Sequence, residues 1–260
     1  MTVEFNIKKR YVFSEETGKS TDYSSVFEGQ DVLLGRKVAI KRIEYKKAKN
    51  GQQMAENEVK ALAKAGEVTN SVPCIIDTWK DETFFYIVMQ WLDGETLKDK
   101  QGIPDRRFLD FMINLTDVLI RLQGERLTHR DIKPENIIIT RENRLYLIDF
   151  NISLSMPNLN EGTPLYRAPE MYEGNNSTDR RKVDVWGIGM LLYHHCTGKD
   201  LVYGRDYGKD FWEEGRKWSF LELDESINKK WANLITKCLE YDPLRRIDLR
   251  ALKQGLIDLK

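Results

Sequence analysis

His129-Arg130-Asp131-Ile132-Lys133-Pro134-Glu135-Asn136 runs directly into an apolar stretch, Ile137-Ile138-Ile139-Thr140. An acid and an amide thus stand in one loop that feeds a strand, so the carboxylate can be aimed at a hydroxyl and the amide oxygen at a metal. Lys133 lies between them, where its ammonium can reach an anion held at the same place. A polar loop that only caps a helix needs no such combination of groups.

Upstream of this loop the chain reads first as short strands over residues 10–13, 25–28 and 37–42, separated by turns containing Gly and Ser. One helix interrupts them over residues 52–65. Its apolar side is expected to carry Met54, Val59, Leu62 and Ala63, with Glu56, Lys60 and Lys64 largely off it. Apolar runs at 72–79 and 83–91 complete a small sheet. After a turn at Asp93-Gly94 the pattern becomes helical, with Phe108, Phe111, Met112, Leu115, Val118, Leu119 and Leu122 at three- and four-residue spacing. Brief strands at 137–140 and 145–148 flank a turn at Asn143. A long irregular segment follows over 151–164, and unstructured loops of that length inside a compact domain are usually functional. Residues 183–193 are apolar almost all round, as a buried helix should be, and Ile227, Trp231, Leu234, Ile235, Cys238 and Leu239 form a further stripe.

The 260 residues fit one large fold or two lobes sharing a cleft. With 41 basic and 41 acidic residues the chain carries no net field toward nucleic acid or anionic lipid, so neither is expected as a partner. Cys74, Cys196 and Cys238 are odd in number and widely spaced, which suggests neither a disulfide framework nor a zinc site. The first ten residues lack the apolar core of a signal peptide, and no stretch is long enough to span a bilayer. A cytoplasmic location is the expectation.

Several further segments stand in a telling order around the loop: Val38-Ala39-Ile40-Lys41, Leu147-Ile148-Asp149-Phe150-Asn151, Gly162-Thr163-Pro164-Leu165-Tyr166-Arg167-Ala168-Pro169-Glu170, Asp184-Val185-Trp186-Gly187-Ile188-Gly189 and Asp242-Pro243-Leu244-Arg245-Arg246. Together they resemble the eukaryotic-type serine/threonine protein kinases over nearly the whole chain. The resemblance implies an α+β fold with a small antiparallel-sheet lobe and one main helix over residues 1–91. A larger helical lobe over 92–260 would complete one kinase domain. It also implies transfer of the γ-phosphoryl group of ATP to Ser/Thr hydroxyls of protein substrates, with magnesium, or manganese in its place, as the metal.

By the same resemblance Asp131 is the base, Lys133 reaches the transferring phosphoryl group, and Asn136 and Asp149 hold the metal. Lys41 resembles the lysine on the α and β phosphates, with Glu58 as its helix partner and Glu56 as the rival for that pairing. Thr163 resembles the threonine that contacts the base and Lys133, and both residues point to the Ser/Thr branch. Gly18, Val26, Ala39, Met89, Gln90, Trp91, Leu92 and Ile138 are expected around the nucleotide, with Asp93 or Glu95 reaching the ribose. Glu170 is expected to pair with Arg246, and Asp184 to brace the backbone of the catalytic loop. Arg130 resembles an arginine that docks a phosphate, for which Ser153 and Ser155 are the candidate acceptors.

Two departures stand against this pattern. The nucleotide-covering loop, residues 17–26, keeps only Gly18 of the usual three glycines, with Ser20 and Ser24 in the other glycine places and Tyr23 at its tip. Asn151 replaces the glycine after Asp149-Phe150, although Asn is among the residues that best tolerate positive φ. These departures keep open an alternative, a pseudokinase that serves as an ATP-binding or scaffold module.

Overall fold

The computed structural model describes residues 4–7, 10–14, 19–20, 24–46, 51–150, 166–171, 180–199, 223 and 225–260. They fall in two compact units. The first takes in Met1–Gly94 and Ile138–Leu154, and the second Glu95–Ile137 and Ser155–Lys260. Gly18, Asn151, Ser153, Ser155, Thr163 and the segment 151–164 lie outside the described residues.

The first unit is built on an antiparallel sheet of β1 (Glu4–Ile7), β2 (Tyr11–Ser14), β3 (Lys19–Ser20), β4 (Ser24–Asp31), β5 (Arg36–Glu44), β6 (Ile75–Lys80) and β7 (Phe84–Gln90). Its order is β1-β2-β4-β5-β7-β6, with β3 paired to β4. Alternate residues of a strand share a face, and this brings Tyr11, Phe13, Phe27, Val38, Ile40, Tyr86 and Val88 into one buried cluster. Trp79 stacks on Tyr86 at 4.8 Å and on Tyr11 at 5.7 Å, closing that cluster with aromatic faces. β4 and β5 run longer than their apolar cores suggest, because a register from Ser24↔Ile43 to Asp31↔Arg36 carries polar residues along with them.

Helix α1 (Gly51–Val68) covers the predicted span, but its buried face differs from the expected stripe. The buried residues are Gly51, Ala55, Glu58, Ala61, Leu62 and Ala65, while Met54 and Val59 are half-buried and Ala63 is exposed. Small alanines let the helix lie close to its neighbours, and a buried Glu58 is not apolar. A search weighted toward large apolar side chains therefore finds the wrong flank.

Asp93-Gly94 is also more than a turn, since Gly94 opens a short strand, β8 (Gly94–Thr96). A Cβ on Gly94 would collide with the carbonyl of Ile139, so only glycine lets the two backbones come this near. β9 (Ile137–Thr140) and β10 (Leu145–Leu147) join through Asn143, which takes φ 59°. Its N–H donates to the Thr140 carbonyl at 2.9 Å.

At the β4–β5 turn the buried Asp31 accepts two hydrogen bonds from the Arg10 guanidinium, at 3.0 and 2.7 Å, and one from the Leu34 N–H at 3.3 Å. The Arg10 guanidinium holds the Asp31 carboxyl down to about 2.

The second unit is helical: α2 (Asp105–Gly124), α3 (Val183–Thr197), α4 (Lys229–Cys238) and α5 (Leu249–Leu259). The apolar stripe of α2 is buried as its spacing predicts. In α3 every residue from Val183 to Tyr193 is buried. α5 is an addition to the sequence reading. Its signal is an Asp248 cap, whose side chain accepts from the Ala251 N–H at 2.9 Å, followed by buried Leu249, Leu252 and Leu256. Glu170 and Arg246 form a two-pronged buried ion pair at 2.6 and 2.8 Å. The same guanidinium donates to the carbonyls of Glu240, Lys182 and Tyr241 and lies 5.0 Å from the Trp186 ring. Among the described residues no helix is long and apolar enough to cross a membrane.

Two expectations about stability follow. Arg246→Ala strands a buried carboxylate and several carbonyls, and denaturant titration should register a loss of about 3–5 kcal/mol; a loss below 1 kcal/mol would remove the pair from its structural role. For Asp31 the folded-state carboxyl sits below its ordinary 3.8, so its contribution is present above that value and fades as pH falls toward about 2. Melting temperatures of the native chain and Asp31→Asn should therefore differ near neutral pH and converge as the solution is acidified through that window.

Candidate functional site

In each unit several of the charged and polar residues singled out in the sequence stand together. In the first, the sheet and α1 bring three charges together. Lys41 stands on β5, whose alternation turns it to the side opposite Ile40, and it is almost wholly buried. Its Nζ donates to Glu58 Oε1 at 2.6 Å and to Asp149 Oδ1 at 2.8 Å. Glu56 is not the partner; it accepts from the Gln52 side chain at 2.9 Å one turn earlier in the same helix. Burial alone would pull the Lys41 ammonium down, but Asp149 and Glu58 outweigh it and hold it above its ordinary range. Burial pushes the Glu58 carboxyl up, with Lys41 acting against it. Asp149 takes φ 69°, an angle uncommon outside glycine, and Phe150 next to it is buried. The ion pair to Lys41 is one of the contacts that keep this backbone in place.

The nucleotide-binding candidates of the first unit lie along the same strands. Val26 pairs with Lys41 and Ala39 with Met89 across the sheet. Val26 is exposed, Met89 and Leu92 are buried, and Gln90 and Ile138 are half-buried. The Gln90 N–H donates to the Cys74 carbonyl at 2.9 Å.

In the second unit the loop from His129 to Asn136 is fixed from below by α3. Asp184, in the first turn of that helix, accepts the His129 N–H at 2.9 Å and the Arg130 N–H at 2.7 Å. Burial pushes the Asp184 carboxyl up, while His129 and the two N–H donors pull the other way. Arg130 takes φ 71° under this restraint. The Asp131 N–H points at His129 Nδ1 at 3.4 Å, which makes that nitrogen the acceptor. A turn of 3₁₀ helix, Pro134–Asn136, then swings the amide back toward the acid. Asn136 Nδ2 donates to both the Asp131 carbonyl at 2.8 Å and Asp131 Oδ2 at 2.9 Å. Lys133 Nζ lies 2.8 Å from the same Oδ2. The carboxylate is therefore oriented from two sides, and the Asn136 amide presents its oxygen as the acceptor.

Gly187 completes this arrangement and received no role in the sequence reading. A Cβ there would stand 2.6 Å from Ile132 Cβ and 2.9 Å from the Ile132 carbonyl oxygen. Only a bare backbone lets α3 come this close to the loop. Its signal is the spacing Asp184-x-x-Gly187, which sets the glycine one turn from the bracing acid. Glu95, on β8, is exposed and lies 3.9 Å from Lys100.

The donor sets suit the groups they were expected to hold. A carboxylate and an amide oxygen are hard ligands of the kind magnesium takes beside phosphates and water. A buried ammonium with fixed charge suits a phosphate chain.

Three relatives share this sequence at modest identity. The chain is 25% identical over 264 residues to the serine/threonine-protein kinase stk11 homolog of Dictyostelium discoideum, a match that covers 94% of this chain and 44% of that protein. It is 24% identical over 263 residues to serine/threonine-protein kinase STK11 of Gallus gallus, covering 94% and 59%. The hormonally up-regulated neu tumor-associated kinase homolog A of Xenopus laevis is 29% identical over 258 residues, covering 92% and 36%. The chain thus spans between about a third and three fifths of the length of these curated relatives. A family model described as a protein kinase domain matches residues 11–255, and with that match over nearly its whole length the chain belongs to the protein kinase domain family.

Proposed function

We propose that this chain is an active serine/threonine protein kinase, transferring the γ-phosphoryl group of ATP to Ser/Thr hydroxyls of protein substrates. The observation that carries the reading is the contact of the buried Lys41 with both Glu58 and the half-buried Asp149, because an inactive remnant has no need to keep a lysine and a glutamate paired out of water beside a second acid. Magnesium, bound through Asp149 and Asn136, would neutralise the phosphate charge. Lys41 would bind the α and β phosphates and Lys133 the transferring group. Asp131, its Oδ2 held by Lys133 and Asn136, would orient the acceptor hydroxyl and take its proton. Positioning and electrostatics carry most of the catalysis in this reaction.

Val26, Ala39, Met89 and Leu92 would enclose the adenine, with the backbone of 90–92 as its hydrogen-bonding edge. Thr163 would meet the acceptor and the base, and the names of two relatives, serine/threonine-protein kinases, favour a hydroxyl of that class. A phosphate on Ser153 or Ser155 would dock on Arg130 and order the activation segment. A cytoplasmic location accords with the balanced charge and unpaired cysteines. The serines in the glycine places of the loop 17–26 favour the second reading, a pseudokinase that binds ATP without transfer.

Labelled ATP with magnesium and a generic basic protein substrate separates the two readings. The native chain should label the substrate, and Asp131→Asn or Asp149→Asn should lower turnover by about a hundredfold or more. Transfer that is absent from the native chain, while ATP still raises its melting temperature, would replace the kinase reading with the binding-module one. Gly187→Ala supplies a separate check on positioning. The crowded Cβ should cost about 1–3 kcal/mol of stability and push Ile132, and with it Asp131. The kcat should then fall while the KM for ATP holds, as measured by steady-state kinetics below the melting range.

A further inference from the structure

Four cations surround a cavity of about 690 Å³ in the second unit, and none of its lining residues is assigned above to catalysis. Arg126 comes from the turn after α2, Arg181 and Lys182 from the 3₁₀ turn Arg180–Lys182 before α3, and Arg250 from the first turn of α5. Among the described residues Asp248 is the one acid in the wall. Its carboxylate is engaged by the Ala251 N–H as the cap of α5. Lys182 Nζ donates to the carbonyls of Leu244 at 3.3 Å and Arg246 at 2.5 Å, both neutral acceptors. Arg126 and Arg250 are exposed, and no carboxylate among the described residues stands within ion-pair distance of either. Gln123 Nε2 donates to the Arg181 carbonyl at 3.3 Å, which ties the end of α2 to the opposite wall and fixes the spacing of the charges.

Cations gathered in a concave surface with little opposing charge focus a field that draws anions. Guanidinium forks match the oxygens of a phosphate, and three of the four cations here are arginines. The cavity is far larger than one phosphate group needs and is floored by buried Leu127 and Leu249. A ligand with apolar as well as phosphate surface fits that floor.

We propose that this cavity docks a phosphorylated peptide segment, its phosphomonoester seated between Arg126 and Arg250 and its neighbouring residues on the Leu127–Leu249 floor. The site is separate from the proposed active site and does not depend on its being active.

Fluorescence polarisation with a labelled degenerate phosphoserine peptide pool tests it, with the unphosphorylated pool as the comparison. The full chain carrying Asp131→Asn is used throughout, so that no phosphoryl transfer alters the pools. The phosphorylated pool should bind and the unphosphorylated one should not. Arg126→Asn with Arg250→Ala, asparagine being chosen because it tolerates the φ of 58° at Arg126, should weaken binding about tenfold or more with an unchanged melting temperature. Should that double variant melt early, Arg250→Glu alone, at an exposed helical position, must produce the same weakening. Failure of the phosphorylated pool to bind, or equal binding by these variants, overturns the proposal. Inorganic phosphate that binds as tightly as the pool would show a site for the free anion and overturn the peptide assignment.

Discussion

The carboxylate of Asp184 is the constraint on which the second unit turns. Two consecutive backbone N–H groups, those of His129 and Arg130, point into protein and would be unsatisfied without it. Satisfying both from one acid at the start of α3 fixes where that helix must lie. The helix is otherwise buried nearly all round, so its apolar faces alone would not choose a rotation. The two hydrogen bonds choose it, and Gly187 and Ile132 then meet at a distance that only glycine permits. From that docking follow the left-handed turn at Arg130, the direction of Asp131 and the grip of Lys133 and Asn136 on one of its oxygens.

The molecule uses buried charge in two different ways. Around Arg246 every donor is spent: two go to Glu170 and the others to carbonyls, with Trp186 covering the flat face. Such a closed arrangement adds little net stability over an apolar one, and its use is to forbid other packings. Around Lys41 the arrangement is open on one side, because Glu58 is enclosed while the Asp149 side chain retains 28% of its exposure. A charge triad with one member at the surface can exchange partners without stranding a charge in the core. That is the condition a group must meet if it is to hold a ligand part of the time.

Much of this architecture was legible in the sequence, and the failures have physical causes. Strong periodicity carried α2 and α3, and the five-residue spacing of Asp131 and Asn136 matches the single loop in which the two side chains meet. Asn143 marked its hairpin because its side chain tolerates the backbone angle the turn requires. The buried face of α1 was misread because close packing there uses alanine and a functional glutamate, neither of which weighs as apolar bulk. Likewise β8 was hidden behind a dipeptide that usually marks a turn, and α5 behind a run whose three leucines are interspersed with charge. The choice between Glu56 and Glu58 could not be made from spacing, since both lie in one helix and only the rotation of α1 against the sheet decides it.

The positive φ angles at Arg130 and Asp149 bear on how such a chain could change over generations. A backbone held in the left-handed region admits glycine and asparagine readily and β-branched residues hardly at all. Drift at residue 149 after a loss of chemistry would therefore run toward asparagine or glycine, which keep the turn, before valine or isoleucine, which would break it. The shape of the segment would outlast its charge, and a descendant could keep the fold of its ancestor long after giving up the reaction.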